Sequence, residues 1–420
     1  MIDRGTLAQA LRQQPLADWV VLEHDQELHV RDGVSSRGEI RTRWRIVAHV
    51  DTPKGRGTAR LAIDADDGDP DEVAERAVAS ALASVGPAWE SAPAAAPARV
   101  ELEDPAFTGE LAAIADHLLA ALGTPGVQLA PTARLLREHV SVLGNQGFHA
   151  EWNATLARVD LLASAAGRSL LVAREARRLD ALDLDAAIAT AAADLQLLAQ
   201  ATAPVPGECA VVLAADALVP IELGERGQLG VWDAFAAQAD AVLAREGLAR
   251  FHERSPIAEG ADHVPEPLTV ESDGALAFGL RSAPLGDDGD AVRRFAIVDR
   301  GIAAGLGLSP REAALRKRDP NGGVRNLVVP PGTWDGRVDG SGRTIEVRRL
   351  RELSIDRFTG DASLEIALAV EHGKGPFAGG TIRLDLVAAL ARARRSSERM
   401  RRGAYDGPSS VWIERAELLA

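Results

Sequence analysis

A single cysteine, Cys209, stands in the 420 residues. One thiol cannot close an internal disulfide, which points to a reducing compartment, and there the sequon Asn153-Ala154-Thr155 carries no meaning. No apolar run approaches the ~20 residues that span a bilayer. The N-terminus MIDRGTLAQALRQQPL also lacks an apolar region behind a basic start. The chain therefore reads as cytoplasmic, with no membrane partner. Basic residues are in deficit, 47 Lys and Arg against 61 Asp and Glu, a net charge of −14. A broad phosphate-binding surface would work against that field, so nucleic acid is set aside as a partner. The densest basic run, residues 392–402 (RARRSSERMRR), reads as the solvated face of a helix.

Chemical signatures are equally sparse. Of nine histidines only His252 precedes a glutamate, and Pro256 and Ile257 stand four and five residues after it, so neither HExxH nor HExxxH is filled. His252 and Glu253 read as an exposed pair near a helix end. No GxSxG elbow, no GxxxxGK[ST] loop and no GxGxxG after a strand occurs, and Gly305-Leu306-Gly307 and Gly373-Lys374-Gly375 lack that context. Cys209 opens the apolar run CAVVL, a core strand in which a thiol is inert. Asp287, Asp288 and Asp290 lie close enough in sequence to hold a divalent ion, yet hairpin turns take Asp for backbone reasons alone. No catalytic, metal-binding or substrate-binding residue is assigned on these grounds.

What is present is the makings of a large core. Hydrophobic residues at 46% with 26% charged is a globular balance, and the length calls for two or three domains. Residues 1–90 read as an N-terminal α/β region. Apolar alternation at 41–50 and 58–63 leads to Asp69-Pro70-Asp71-Glu72, an N-cap with proline at the first helical position, and a helix over 73–85. Residues 91–107, rich in Ala and Pro, read as a linker or crossover. Residues 108–203 begin with a helix capped by Thr108. A strand at 140–143, the turn Gly144-Asn145-Gln146-Gly147, strands at 148–156 and 158–165, and a helix at 185–201 follow. Residues 204–420 read as a β-rich domain. It opens with a buried strand at 209–214 and a helical stretch at 216–251. Short strands then begin at residue 267, punctuated by Asp287-Asp288-Gly289, Asp299-Arg300-Gly301 and Asn321-Gly322-Gly323. The fold class expected is α+β, with an N-terminal α/β domain of mixed sheet and helices and a C-terminal, predominantly antiparallel sheet or barrel.

The series LTV, the Asp287-Asp288 turn, RRFAIVDRG and RNLVVPPG resembles the C-terminal domain of the TldD/PmbA peptidase family, also labelled modulators of DNA gyrase. Upstream, ATAPVPG leading into CAVVLAADAL and the strands before DPDEVAERAVASA resemble its earlier segments. Downstream, TGDAS, EHGKGPFAGG and PSSVWIERAEL resemble its last strands. The resemblance implies paired subunits, in which a TldD-type partner carries HExxxH just after the strand matched by CAVVLAADAL and binds zinc. Here that place is held by residues 218–231 (LVPIELGERGQLGV), without a histidine. The resemblance thus implies a PmbA/TldE-like subunit with no zinc of its own. It would shape the substrate chamber for a TldD-like partner that degrades or trims unfolded peptides in a heterodimer. A stand-alone binding or adaptor protein without peptidase activity, and an independent enzyme built on Asp287, Asp288 and a histidine distant in sequence, are the alternative expectations.

Overall fold

Seven antiparallel strands form the first sheet: β1 (Asp18–Asp32), β2 (Ser36–Thr52), β3 (Gly55–Asp64), β4 (Val85–Gly86), β5 (Gln128–Gly144), β6 (His149–Ala165) and β7 (Arg168–Ala176), in the order β4-β3-β2-β1-β5-β6-β7. The structure is a computed structural model describing residues 2–66, 68–91, 95–145, 147–337 and 342–420. Residues 92–94 of the expected linker and Gln146 of the expected turn lie outside the described residues. On β2, Trp44, Ile46, Ala48 and Val50 alternate onto a face covered by α1 (Arg4–Gln13) and α2 (Pro70–Ala83). Helix α2 starts as its sequence demands, with the Asp69 carboxylate accepting from the Asp71 N–H and Pro70 in the first turn. The same face carries a second apolar cluster under α3 (Leu111–Ala120) and α4 (Leu184–Gln200). Thr108 does not cap α3. Gly109 takes φ +81°, which breaks the helical path, and the helix begins behind Glu110.

One sheet spans both sides of residues 91–107, because β1 pairs β5 from Val20↔Gly144 onward. The intervening segment crosses that sheet, burying Leu102, whose carbonyl accepts from the Thr155 N–H at 3.0 Å. Residues 148–165, expected as two strands, run as the single strand β6, since cross-strand pairing to β5 and β7 continues through Ala157.

The remainder builds two further sheets. Strands β8 (Gly207–Leu213), β9 (Val270–Asp273), β10 (Phe295–Asp299), β11 (Ile302–Ala303), β12 (Asn326–Val328), β13 (Thr344–Ile355) and β14 (Asp361–Glu371) come first. They are followed by β15 (Gly375–Phe377), β16 (Thr381–Asp385), β17 (Arg394–Arg395), β18 (Arg399–Arg402), β19 (Tyr405–Pro408) and β20 (Val411–Leu419). One sheet is ordered β11-β10-β9-β12-β19-β18. In the other, β13-β8-β20-β16-β14 is closed by the β13–β14 pairing into a five-stranded barrel. Most pairings are antiparallel, and β8–β13 and β12–β19 are parallel. The architecture is α+β, as expected. The turn Asp299-Arg300-Gly301 reverses β10 into β11 with Arg300 at φ +46° and Gly301 at φ +80°.

Three expectations fail locally. Residues 275–280, an apolar run within the stretch of short strands expected from residue 267, form turns instead, and Phe278 sits at φ +55° with its N–H bonded to the Glu101 carbonyl at 2.7 Å. The stretch 216–251 is not one helix. It breaks into α5 (Ala215–Leu218), α6 (Asp233–Gln238) and α7 (Ala241–Arg245), because Pro220 and the positive-φ Gly227 and Gly230 interrupt it. The basic run 392–402 is not a helix face. After α8 (Pro310–Leu315) the last helix is α9 (Leu386–Arg392), which stops at Ala393, where the backbone turns extended, and the arginines that follow lie on β17 and β18. Their partners β20 and β19 supply backbone hydrogen bonds that a local helical pattern cannot foresee. Among the described residues no helix is long and apolar enough to cross a membrane.

Candidate functional site

Strand β8 delivers the chain into α5 at the boundary between the first sheet and the barrel, which is where the resemblance places a metal motif. Cys209 lies within β8, buried, and burial pushes its thiol pKa up, as befits an inert core residue. Seven residues on, Asp216 enters a group of buried charges. Parallel pairing of β13 to β8 ends at Val347↔Leu213, and the register of β13 then shifts around Arg349. This bulge lets two consecutive residues reach one carboxylate, although side chains on a regular strand alternate faces. Arg348 Nε donates to Asp194 Oδ1 at 2.6 Å and Arg349 Nε to Asp194 Oδ2 at 2.8 Å, with Asp194 carried in by α4. The other side of the Arg349 guanidinium stands 3.1 Å from Asp216 Oδ2 and 3.7 Å from Glu222 Oε1.

Asp216 is the hub. Arg174 from β7 lies 3.2 Å from its Oδ1, and Arg402 from β18 donates to the same oxygen. Burial alone would raise the Asp216 pKa, but Arg402, Arg349 and Arg174 outweigh it and hold the carboxyl at about 2. Glu222 goes the other way. Burial raises its pKa and Asp216 adds to that, against Arg349. Burial also raises Glu175, whose Oε1 accepts from the Gly227 N–H at 2.9 Å while Oε2 has no partner. Arg174, buried and repelled by Arg402, is lowered to about 10.

Two cavities of about 410 and 390 Å³ open onto this group and share Glu175, Ala181, Arg401 and Arg402. Together they form a cleft between β7, the last strand of the first sheet, and β18, the last strand of the second. In its wall Arg177 is 4% exposed and meets no carboxylate. Its guanidinium donates to the carbonyls of Gly279 (2.9 Å), Thr155 (3.3 Å), Ser282 (3.3 Å) and Leu280 (3.4 Å), and burial lowers its pKa to about 9.

The residues singled out in sequence are not brought together. His252 is exposed and Glu253 pairs with Arg318 at 2.6 Å, away from the cleft. Asp287, Asp288 and Asp290 form a turn that docks on the first sheet. Asp288 accepts from Arg60 at 2.6 and 3.1 Å, and Asp287 lies 3.1 Å from Arg325 and 3.3 Å from Arg45. Asp290, buried, accepts from the Gly322 N–H at 3.1 Å, and burial together with Asp288 pushes its pKa up to about 7. Asp287 and Asp288 are thus committed to arginines, and Asp290 to the Gly322 backbone. Sequence reasoning missed the Asp216 group, for which the doublet Arg348-Arg349 inside an apolar strand was the available signal.

A divalent metal does not fit after β8. Three guanidinium groups converge on Asp216, a fourth binds Asp194, and residues 218–231 supply no imidazole. Among the described residues, no group of three or more His, Cys, Asp or Glu is placed to hold a metal ion.

An α+β chain with a closed five-stranded barrel is a fold shared with solved structures. A candidate modulator of DNA gyrase from Bacteroides thetaiotaomicron has a TM-score of 0.75 at 14% identity over 100% of both chains. TldE from Thermococcus kodakarensis has a TM-score of 0.75 at 15% identity, over 97% of this chain and 98% of that one. A candidate modulator of a DNA gyrase from Thermotoga maritima has a TM-score of 0.74 at 14% identity, over 96% and 95%. Comparison with curated protein sequences returned no match. Residues 235–418 match the family model described as the PmbA/TldA metallopeptidase C-terminal domain.

Proposed function

We propose that the chain is a non-catalytic, TldE/PmbA-like subunit of a cytoplasmic heterodimeric metallopeptidase that degrades or trims unfolded peptides. The observation that carries this reading is the triple arginine pairing of Asp216, which fills with positive charge the place where a metal-binding subunit needs ligands. Zinc and the activated water belong, on this reading, to a TldD-like partner bearing HExxxH. This chain contributes walls and access to the chamber. Likeness to TldE in fold supports the choice of subunit.

Co-expression with a TldD-like chain, followed by co-purification and peptidase assays of each chain alone and together with zinc, tests the proposal. A stable pair, with hydrolysis of an unfolded peptide only when the HExxxH chain is present, is the expected result. Hydrolysis by this chain alone at stoichiometric zinc would overturn it. A stable lone chain that binds a target without pairing would establish the adaptor reading instead.

A further inference from the structure

The cleft between β7 and β18 is a place of positive charge in a chain whose net charge is −14. Seven arginines and five carboxylates line its two cavities. Their partners are shared: Asp216 serves Arg174 and Arg402 together with Arg349 behind the lining, and Asp406, also behind it, serves Arg399 and Arg401. Arg177 has only carbonyl oxygens, and Glu175 is turned toward its neutral form by burial. The wall therefore holds more guanidinium than ionised carboxylate, inside a partly closed space where screening by salt is weakest.

Backbone geometry adds a second feature. The N–H of Ser409 donates to the Glu398 carbonyl at 2.9 Å, and Arg399↔Pro408 through Arg402↔Tyr405 continue the pairing. In an antiparallel ladder bonded and non-bonded pairs alternate, so Arg399 and Arg401 direct their peptide groups away from β19. Among the described residues no strand follows β18 in its sheet, which leaves this edge as a template for one more strand.

We propose that the cleft binds an extended acidic peptide segment as an added strand along β18, its Asp and Glu side chains taken by the arginines of the two walls. Main-chain pairing supplies affinity irrespective of sequence, and the arginines select for acidic residues. The idea rests on the peptide-handling reading above and narrows its substrate class. It concerns binding by this chain alone, so loss of subunit pairing and loss of peptide binding are separate results.

The test is fluorescence anisotropy of the purified chain with a labelled, unstructured 12-residue peptide rich in Asp and Glu. The comparators are the same peptide with Lys at the acidic positions, the acidic peptide N-methylated on alternate residues, and a single-stranded deoxyoligonucleotide. Expected are binding of the acidic peptide at least tenfold tighter than of the Lys peptide, and loss on N-methylation. Arg401→Glu weakens it by a further tenfold or more. Should that variant fail to fold by circular dichroism, Arg178→Glu, half-exposed at the rim beside Phe278 and paired only to the exposed Asp180, weakens it at least threefold. Equal binding of the acidic and Lys peptides, undiminished binding after N-methylation, tighter binding of the oligonucleotide, or no binding of the acidic peptide would each overturn the proposal.

Discussion

Arg349 is 2% exposed and holds Asp194, Asp216 and Glu222 in one group. Removing one partner of a buried ionic group leaves the others unpaired in low dielectric. Arg349→Met is therefore expected to destabilise the chain by about 3–5 kcal/mol in urea unfolding, whereas Arg348→Met, at a position more open to solvent, loses about 1 kcal/mol or less. Asp290 gives a pH signature. Its folded pKa of about 7 lies above the ordinary carboxyl value, so the folded state binds the proton more tightly. The stabilisation is fully present at pH 3 to 4 and is lost as pH rises through 7. Asp216, at about 2, has the opposite sign, with stability present above pH 4 and lost toward pH 2. Asp290→Asn keeps the acceptor for the Gly322 N–H and cannot ionise. Its thermal melts are expected to lose the decline that the parent shows between pH 5 and 8. At this scale the sequence showed that Asp287, Asp288 and Asp290 stand together in a turn. It did not show their role, because Arg60, the partner of Asp288, is 228 residues away.

The element scale separates what local chemistry can specify from what it cannot. The β10–β11 hairpin was legible from Asp299-Arg300-Gly301, and α2 from Asp69-Pro70, because turn and cap preferences act within a few residues. Gly301→Ala is expected to cost about 1–3 kcal/mol or more in chemical denaturation. The substituted residue would keep φ +80°, and its Cβ would fall 2.4 Å from the Ala261 carbonyl oxygen. By contrast β18 was misread as helix. Arginine is a good helix former, and only the pairing with β19 across the turn at Gly403 draws those residues into a sheet.

At the scale of the molecule the first sheet and the β-rich part are joined by backbone and charge together. The Phe278 N–H meets the Glu101 carbonyl, the Ala98 N–H meets the Pro284 carbonyl at 2.8 Å, Asp288 meets Arg60, and Arg177 holds the loop at 279–282 by its carbonyls. Arg177→Leu leaves those acceptors without donors in a buried place. A loss of about 2–4 kcal/mol is expected, from several unsatisfied groups at about 1–3 kcal/mol each before relaxation. It should appear first as faster amide hydrogen exchange at 276–283, ahead of the barrel strands. The sequence by itself determined the α+β class, the punctuation of the β-rich half and the missing histidines after β8, since periodicity, turn residues and residue identity are local properties. Only the tertiary structure decided that one sheet spans residues 91–107, that the barrel closes through β13 and β14, and that arginines from β7, β13 and β18 converge on Asp216. Each of these depends on pairing between residues distant in the chain, whose partners are chosen by burial of the whole core.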